Sequence, residues 1–202
     1  MEQIKEYEYV DLSLPSGLRW ATMNIGAETE TDYGDYFMWG STTPNTVSEC
    51  TWTKAPFNNG SSNYNETYLS SVKDTVCPNG ILTKECDAAS KIMGSEWRMP
   101  TQTECQELID NTNSKWVEDY NGSGVNGMKF TGSNDNSIFI PAAAYYGDGF
   151  AYDVGNYGDV WSSSLYTSDP YNAWFFGFNS GNCAMDNDGY GRCDGYSVRG
   201  VL

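Results

Sequence analysis

Residues 160–202 read VWSSSLYTSDPYNAWFFGFNSGNCAMDNDGYGRCDGYSVRGVL, and this tail decides how the rest of the chain is understood. In its middle two residue sets alternate. Trp174, Phe176 and Phe178 are large and apolar, whereas Phe175, Gly177 and Asn179 between them are mixed. Side chains of a strand point alternately to opposite faces, so the pattern predicts a strand with the first set in a core and the second outside. The outward set runs on into Asn182, Ala184, Asp186, Asp188 and Tyr190, which share neither size nor polarity. Lys, Glu and Gln are absent from the tail, although Lys and Glu are the usual choices for a solvated face. A surface of Tyr, Asn, Asp, Ser and Gly is similar to an antibody paratope, where rigid aromatics and small adaptable polar groups make the contacts. The same composition also suits a plain Gly/Asn-rich strand-and-loop region.

Outside the tail, composition bounds the fold class. A chain of 202 residues can bury a full core. Charged residues at 19%, aromatics at 15% and 21 glycines favour a folded, loop-rich, β-leaning domain over disorder. A net charge of −16 argues against nucleic acid and anionic lipid as partners, because no basic stripe is present to meet phosphates. The same acidity serves solubility. No apolar run approaches the roughly 20 residues that span a bilayer, so direct membrane insertion is not expected. The opening MEQIKEYEYVDLSLPSG lacks the apolar region of a secretory signal, so export by that route requires a leader already removed.

Six cysteines (Cys50, Cys77, Cys86, Cys105, Cys183, Cys193) stand at irregular spacings without a CxxC pair, and the chain has no histidine. The common zinc patterns are thereby excluded, along with the usual general base. Mostly free, partly buried thiols are expected, with three disulfides as the alternative. No metal and no cofactor is expected.

Read from the start, Tyr7–Leu12 alternates as a strand and stops at Pro15-Ser16-Gly17, and Leu18–Met23 is a second strand. Residues 41–80 are rich in Ser, Thr, Asn and Pro and predict a long irregular excursion. Thr83–Met93 predicts one helix ending at Gly94. Thr101 followed by Glu104 is a capping box that opens a second helix, with Cys105, Leu108 and Ile109 as its buried stripe. From Lys115 onward short strands are parted by Asn/Gly/Ser turns. No linker or internal repeat is visible. The expectation is a single α+β domain over residues 1–202, with two helices, short and mostly antiparallel strands, and long irregular loops.

Several stretches together carry a resemblance. They are Tyr9-Val10-Asp11-Leu12, Leu14–Thr22 with Asn24–Ala27, Tyr33–Phe37 with Trp39-Gly40, and Trp97–Thr101. Asn136–Ala143, Tyr157-Gly158 with Trp161–Ser164, and Ser197-Val198-Arg199 complete the set. The chain resembles Bacteroidetes-type domains of the C-type-lectin fold, in the subtype shared with formylglycine-generating enzymes. Its tail resembles the variable region of proteins diversified by diversity-generating retroelements. In that family a reverse transcriptase randomises adenines in Asn-type codons. Such codons reach Tyr, Asp, Ser, Gly, Cys, Phe, Ala or Arg, but not Lys, Glu, Gln, Met or Trp.

The resemblance implies a variable ligand-binding surface of Tyr166, Asp169, Tyr171, Phe175, Gly177, Asn179, Asn182, Ala184, Asp186, Asp188, Tyr190, Arg192 and Asp194. Trp174 and Met185 would be fixed scaffold, and Cys183 and Cys193 products of randomisation. The implied function is binding without catalysis, of a protein or glycan ligand on another cell surface. The implied setting is the bacterial cell surface, secretion, or a phage virion. An exposed Phe175 also fits the rim of a homo-oligomer contact.

Two rivals stay open. One is a formylglycine-generating type of oxidase using Cys183 and Cys193 for copper. The other is a fixed-specificity carbohydrate-binding module, with calcium at the oxygen-rich Asp186-Asn187-Asp188-Gly189. The lectins' Glu-Pro-Asn and Gln-Pro-Asp signatures are absent.

Overall fold

The alternation in the tail does form a strand, and the strand lies inside the molecule. In the computed structural model, which describes residues 7–187 and 191–202, Ala173–Phe178 pairs antiparallel with Gly158–Leu165 on one side and with Cys183–Asp186 on the other. The described residues form three α-helices and twelve strands, an α+β architecture. In chain order β1 (Tyr9–Asp11) and β2 (Arg19–Ala21) make a hairpin, followed by β3 (Tyr36–Phe37). Three helices come next, α1 (Glu66–Val76), α2 (Ala88–Ile92) and α3 (Gln102–Asn111). An antiparallel meander then runs through β4 (Asn113–Val117), β5 (Gly127–Thr131) and β6 (Ser137–Pro141). The last six strands are β7 (Tyr145–Gly147), β8 (Phe150–Tyr152), β9 (Gly158–Leu165), β10 (Ala173–Phe178), β11 (Cys183–Asp186) and β12 (Gly195–Ser197). They assemble in the order β11-β10-β9-β12-β7-β8, with β3 also on β12; only β12 and β9 run parallel.

Both faces of this sheet are covered. Phe176 and Phe178 join Leu12, Trp20, Leu108, Phe130 and Ile140 in a core beneath α3 and the meander. Phe175 joins Trp39, Trp161, Tyr196 and the Ala88–Ala89 pair of α2 in a second core. Each such side chain removed from water contributes about 1.5–3 kcal/mol. The expectation that Phe175 points outward is therefore corrected. It is 6% exposed, with its ring edge-on to Trp161 and Tyr196 at centroid distances of 5.9 and 5.0 Å. Alternation fixes which residues share a face; it does not say what lies over that face.

Between β9 and β10 the register slips at Ser162–Ser164, where Ala173 faces Leu165 but Phe175 already faces Trp161. A bulge of this kind leaves ladder groups unpaired, and here other segments take them up. The Trp39 indole donates to Ser162 O (3.0 Å) and Leu82 N to Ser163 O (2.9 Å), while Ser163 N donates to Pro100 O (2.7 Å). The serines thus join the sheet to the β3 loop and to both flanks of α2.

Local signals explain the helices. Thr101 accepts from Glu104 N and Glu104 returns to Thr101 N, so the expected capping box opens α3; Cys105 and Leu108 are buried, and Ile109 partly so. The expected helix Thr83–Met93 is divided. A 3₁₀ turn occupies Lys84–Cys86 and α2 starts afresh, because Asp87 caps it through Ser90 N (2.9 Å) and also accepts from Met99 N (2.8 Å). The excursion at 41–80 is not wholly irregular, since it contains α1, capped by Asn65.

The tail buries two arginines. Arg199 is fully buried with every donor nitrogen placed: Nε on Asn24 Oδ1 (2.9 Å), Nη1 on Ala21 O (3.0 Å) and Nη2 on Phe139 O (3.0 Å). Arg192, also fully buried, donates Nε to Pro170 O (2.8 Å) and reaches Pro56 O at 3.5 Å, and its Nη2 has no partner among the described residues. Its guanidinium instead sits 5.6–5.7 Å from the ring centroids of Trp39, Trp52 and Tyr64.

Candidate functional site: a groove across the last strands

The register of β9, β10 and β11 aligns small and acidic residues on one face. Asp159 faces Gly177, which faces Ala184, and Phe175 faces Asp186 in the neighbouring row. With no large side chain in the middle row, a groove of ≈ 430 Å³ opens there. Phe175, Gly177, Asn179, Asn182, Ala184, Asp186 and Tyr196 line it from the tail, and Tyr145, Asp153, Tyr157 and Asp159 from other segments. Gly177 is what keeps the groove deep, since a Cβ there would already stand 3.2 Å from Asp159 Oδ1. At its end the β10–β11 turn is held by Asn179, whose Oδ1 accepts from Gly181 N (2.8 Å) and Asn182 N (3.0 Å).

The groove is acidic. Half-buried Asp159 lies in the field of Asp186 and Asp153, and burial first, then those two charges, pushes its carboxyl up to about 7. None of the groove residues is Lys or Arg. Tyr157, on the groove wall, is 45% exposed, and Phe150, 64% exposed, lies edge-on to Tyr152 of the same strand. Exposed rings beside a polar cleft are typical of binding surfaces.

A second pocket of ≈ 710 Å³ adjoins the groove and shares Tyr145 and Asp153 with it. Tyr171 and Asp194 of the tail line it, with Trp52 and Tyr152. Asp194 is 5% exposed, and burial together with Asp148 pushes its carboxyl up to about 8.

The thirteen expected surface residues therefore divide. Six share the groove, and Tyr171 and Asp194 reach the adjoining pocket. Tyr166 packs edge-on to Trp174 at 5.3 Å, and exposed Asp169 shapes its own turn by accepting from Asn172 N; neither lines the groove or that pocket. Arg192 and Asp194 are buried rather than outward, because the whole segment 191–201 packs inside. Asp188 and Tyr190 lie outside the described residues. Sequence reasoning missed Tyr145, Tyr152, Tyr157 and Asp159. The aromatic density of residues 145–157 was the visible signal of the three tyrosines, which strand order brings to the tail, whereas Asp159 comes in through the β9–β10 pairing.

All six cysteines are free. Cys183 packs against the core under α3, whereas Cys193 clusters with Cys50 and Met38. Burial raises the thiol of Cys183 to about 12 and that of Cys193 well above its ordinary value. Among the described residues no group of three or more Cys, Asp or Glu is arranged to hold a metal ion, and no helix is long and apolar enough to cross a membrane. Set against known proteins, the chain matches no family model, no curated protein and no solved structure.

Proposed function

We propose that this chain is a non-catalytic ligand-binding protein of C-type-lectin fold. Its groove is a surface diversified by retroelement mutagenesis, for adhesion or receptor binding. One observation carries the reading: six tail positions drawn from the permitted residue types converge on one groove. The backbones of four of them, Phe175, Gly177, Ala184 and Asp186, are locked in the β9–β10–β11 ladder. Side chains can then change while the frame stays, and a rigid frame limits the entropy lost on binding. Non-catalytic binding is also favoured by cysteines that stay protonated and lie in separate clusters, since the thiolate is the reactive form.

Burial sharpens the expectation. Gly177, Asn182, Ala184 and Asp186 vary freely; Asn179, whose Oδ1 holds the β10–β11 turn, varies less; Phe175 is restricted to large apolar residues; Phe176 and Phe178 are constant. The test is to sequence this locus and its downstream DNA in sister isolates. Substitutions should concentrate on the four free positions, opposite adenines of a template repeat beside a reverse-transcriptase gene. A tail as constant as β5 and β6, with no such repeat, overturns the diversified reading.

A further inference from the structure

The pocket beside the groove has a floor that the rest of the chain leaves incomplete. Asp194 is almost wholly buried, yet its Oδ2 has no hydrogen-bond partner among the described residues, and Oδ1 has only the Cys193 thiol at 3.8 Å. A buried carboxyl without donors is costly, and native structures seldom leave one without a reason. Arg192, two positions earlier, does not answer it, because that guanidinium is turned into the Trp39, Trp52 and Tyr64 rings. None of the pocket residues is Lys or Arg.

The walls are aromatic and come as two pairs. Trp52 and Tyr171 lie 4.8 Å apart on one side, and Tyr145 and Tyr152 stack at 5.0 Å on the other. Ring faces carry negative potential and attract desolvated cations, as Trp52 already does for Arg192. Gly147 lines the pocket, and a Cβ there would come within 2.9 Å of Asp194 Oδ1 and 3.3 Å of the Tyr145 ring. The missing side chain keeps the carboxyl uncovered. Asp148 and Asp153 add negative charge around it.

We infer that this pocket receives the cationic end of a lysine or arginine side chain of a protein partner, with Asp194 as counter-ion and the two aromatic pairs as walls. The inference rests on the reading of the chain as a ligand binder, and is independent of whether the tail is diversified. The ionisable side chains that line the pocket with Asp194 are those of Cys193, Cys50, Asp148, Asp153, Tyr145, Tyr152 and Tyr171. Because the carboxyl is held up to about 8 in the empty pocket, capture of a cation releases a proton, and affinity rises between pH 6 and 8.5.

The test titrates the full chain with N-acetyl-lysine methylamide and N-acetyl-arginine methylamide, followed by tryptophan fluorescence and by NMR of the pocket residues. N-acetyl-norleucine methylamide is the neutral counterpart. Saturable binding of both cationic probes, at least tenfold tighter than norleucine, supports the inference. Asp194→Asn should weaken that binding at least tenfold and remove its pH dependence, with an unchanged circular dichroism spectrum showing that it folds. Equal binding of the neutral probe to the unaltered chain, or no binding of any probe, overturns the inference without recourse to a variant. Cation capture by a chain whose tail is constant among isolates leaves this pocket standing and removes diversification. A diversified tail with no cation capture does the reverse.

Discussion

Arg199 and Arg192 lie in the same tail, equally hidden from water, and are held in opposite ways. Arg199 is bonded to oxygens of three separate segments, at Asn24, Ala21 and Phe139. Arg192 has one good bond, one long one and three ring faces. Directional bonds to buried acceptors specify one residue, since any other side chain leaves those acceptors orphaned. Ring faces are permissive, because apolar side chains pack on them nearly as well as a guanidinium. The difference marks two regimes within the tail: one where chemistry is fixed by unsatisfiable neighbours, and one where shape alone is constrained.

The strongest way to break the comparison is Arg199→Met. Losing three charge-assisted bonds to buried oxygens should cost about 4 kcal/mol, read as a lower urea midpoint or as failure to fold. A loss as small as that of an exposed substitution would show that the two arginines are held alike. Next comes pH. The folded-state values of Asp159 and Asp194 are raised, to about 7 and about 8. Stability from these groups is therefore complete below about pH 4, where the unfolded carboxyls titrate, and is lost as pH rises through 7 and 8. For deeply buried Asp194 the slope approaches at most about 1.4 kcal/mol per pH unit; the less completely buried Asp159 adds less. Thermal midpoints from pH 5 to 9 should fall, and Asp194→Asn should flatten the curve; parallel curves would contradict the assignment.

Two smaller effects refine the contrast. At Gly158 a Cβ would lie 2.1 Å from the Phe178 ring, whereas at Gly177 the nearest atom is 3.2 Å away. Gly158→Ala should destabilise by about 1–3 kcal/mol through overpacking, and Gly177→Ala by much less, in parallel urea titrations. Arg192→Met, finally, should cost only about 1 kcal/mol, since cation–π gains are replaced by apolar packing. A cost matching that of Arg199→Met would dissolve the distinction.

How far the sequence shows all this depends on the range over which each signal acts. The capping box Thr101–Glu104 acts within one turn, so α3 was legible, and so were the alternating strands of the meander. α1 was not, because its sequence ETYLSSVKDTV buries only Leu69 and offers no apolar stripe to read. Six of the positions named from the tail composition line one groove. The outward orientation failed at Phe175, Arg192 and Asp194, whose burial is imposed by Trp161, Tyr196 and residues 191–201 packing against distant segments. Asp159 enters the groove through the β9–β10 pairing, and Tyr145 only through the order β9-β12-β7, a fact of topology that no local pattern encodes.

The position of β12 has a kinetic consequence. It is the last strand in chain order among the described residues, yet it sits between β9 and β7 and also pairs with β3, while Arg199 closes onto Asn24 across 175 positions. Contacts of such long sequence separation form slowly, because a large loop must close before they are rewarded. On the ribosome the two cores cannot close until residues 195–201 have emerged. The nascent chain must therefore keep its aromatic strands from associating wrongly throughout synthesis, and a net charge of −16 supplies the repulsion that discourages such contacts.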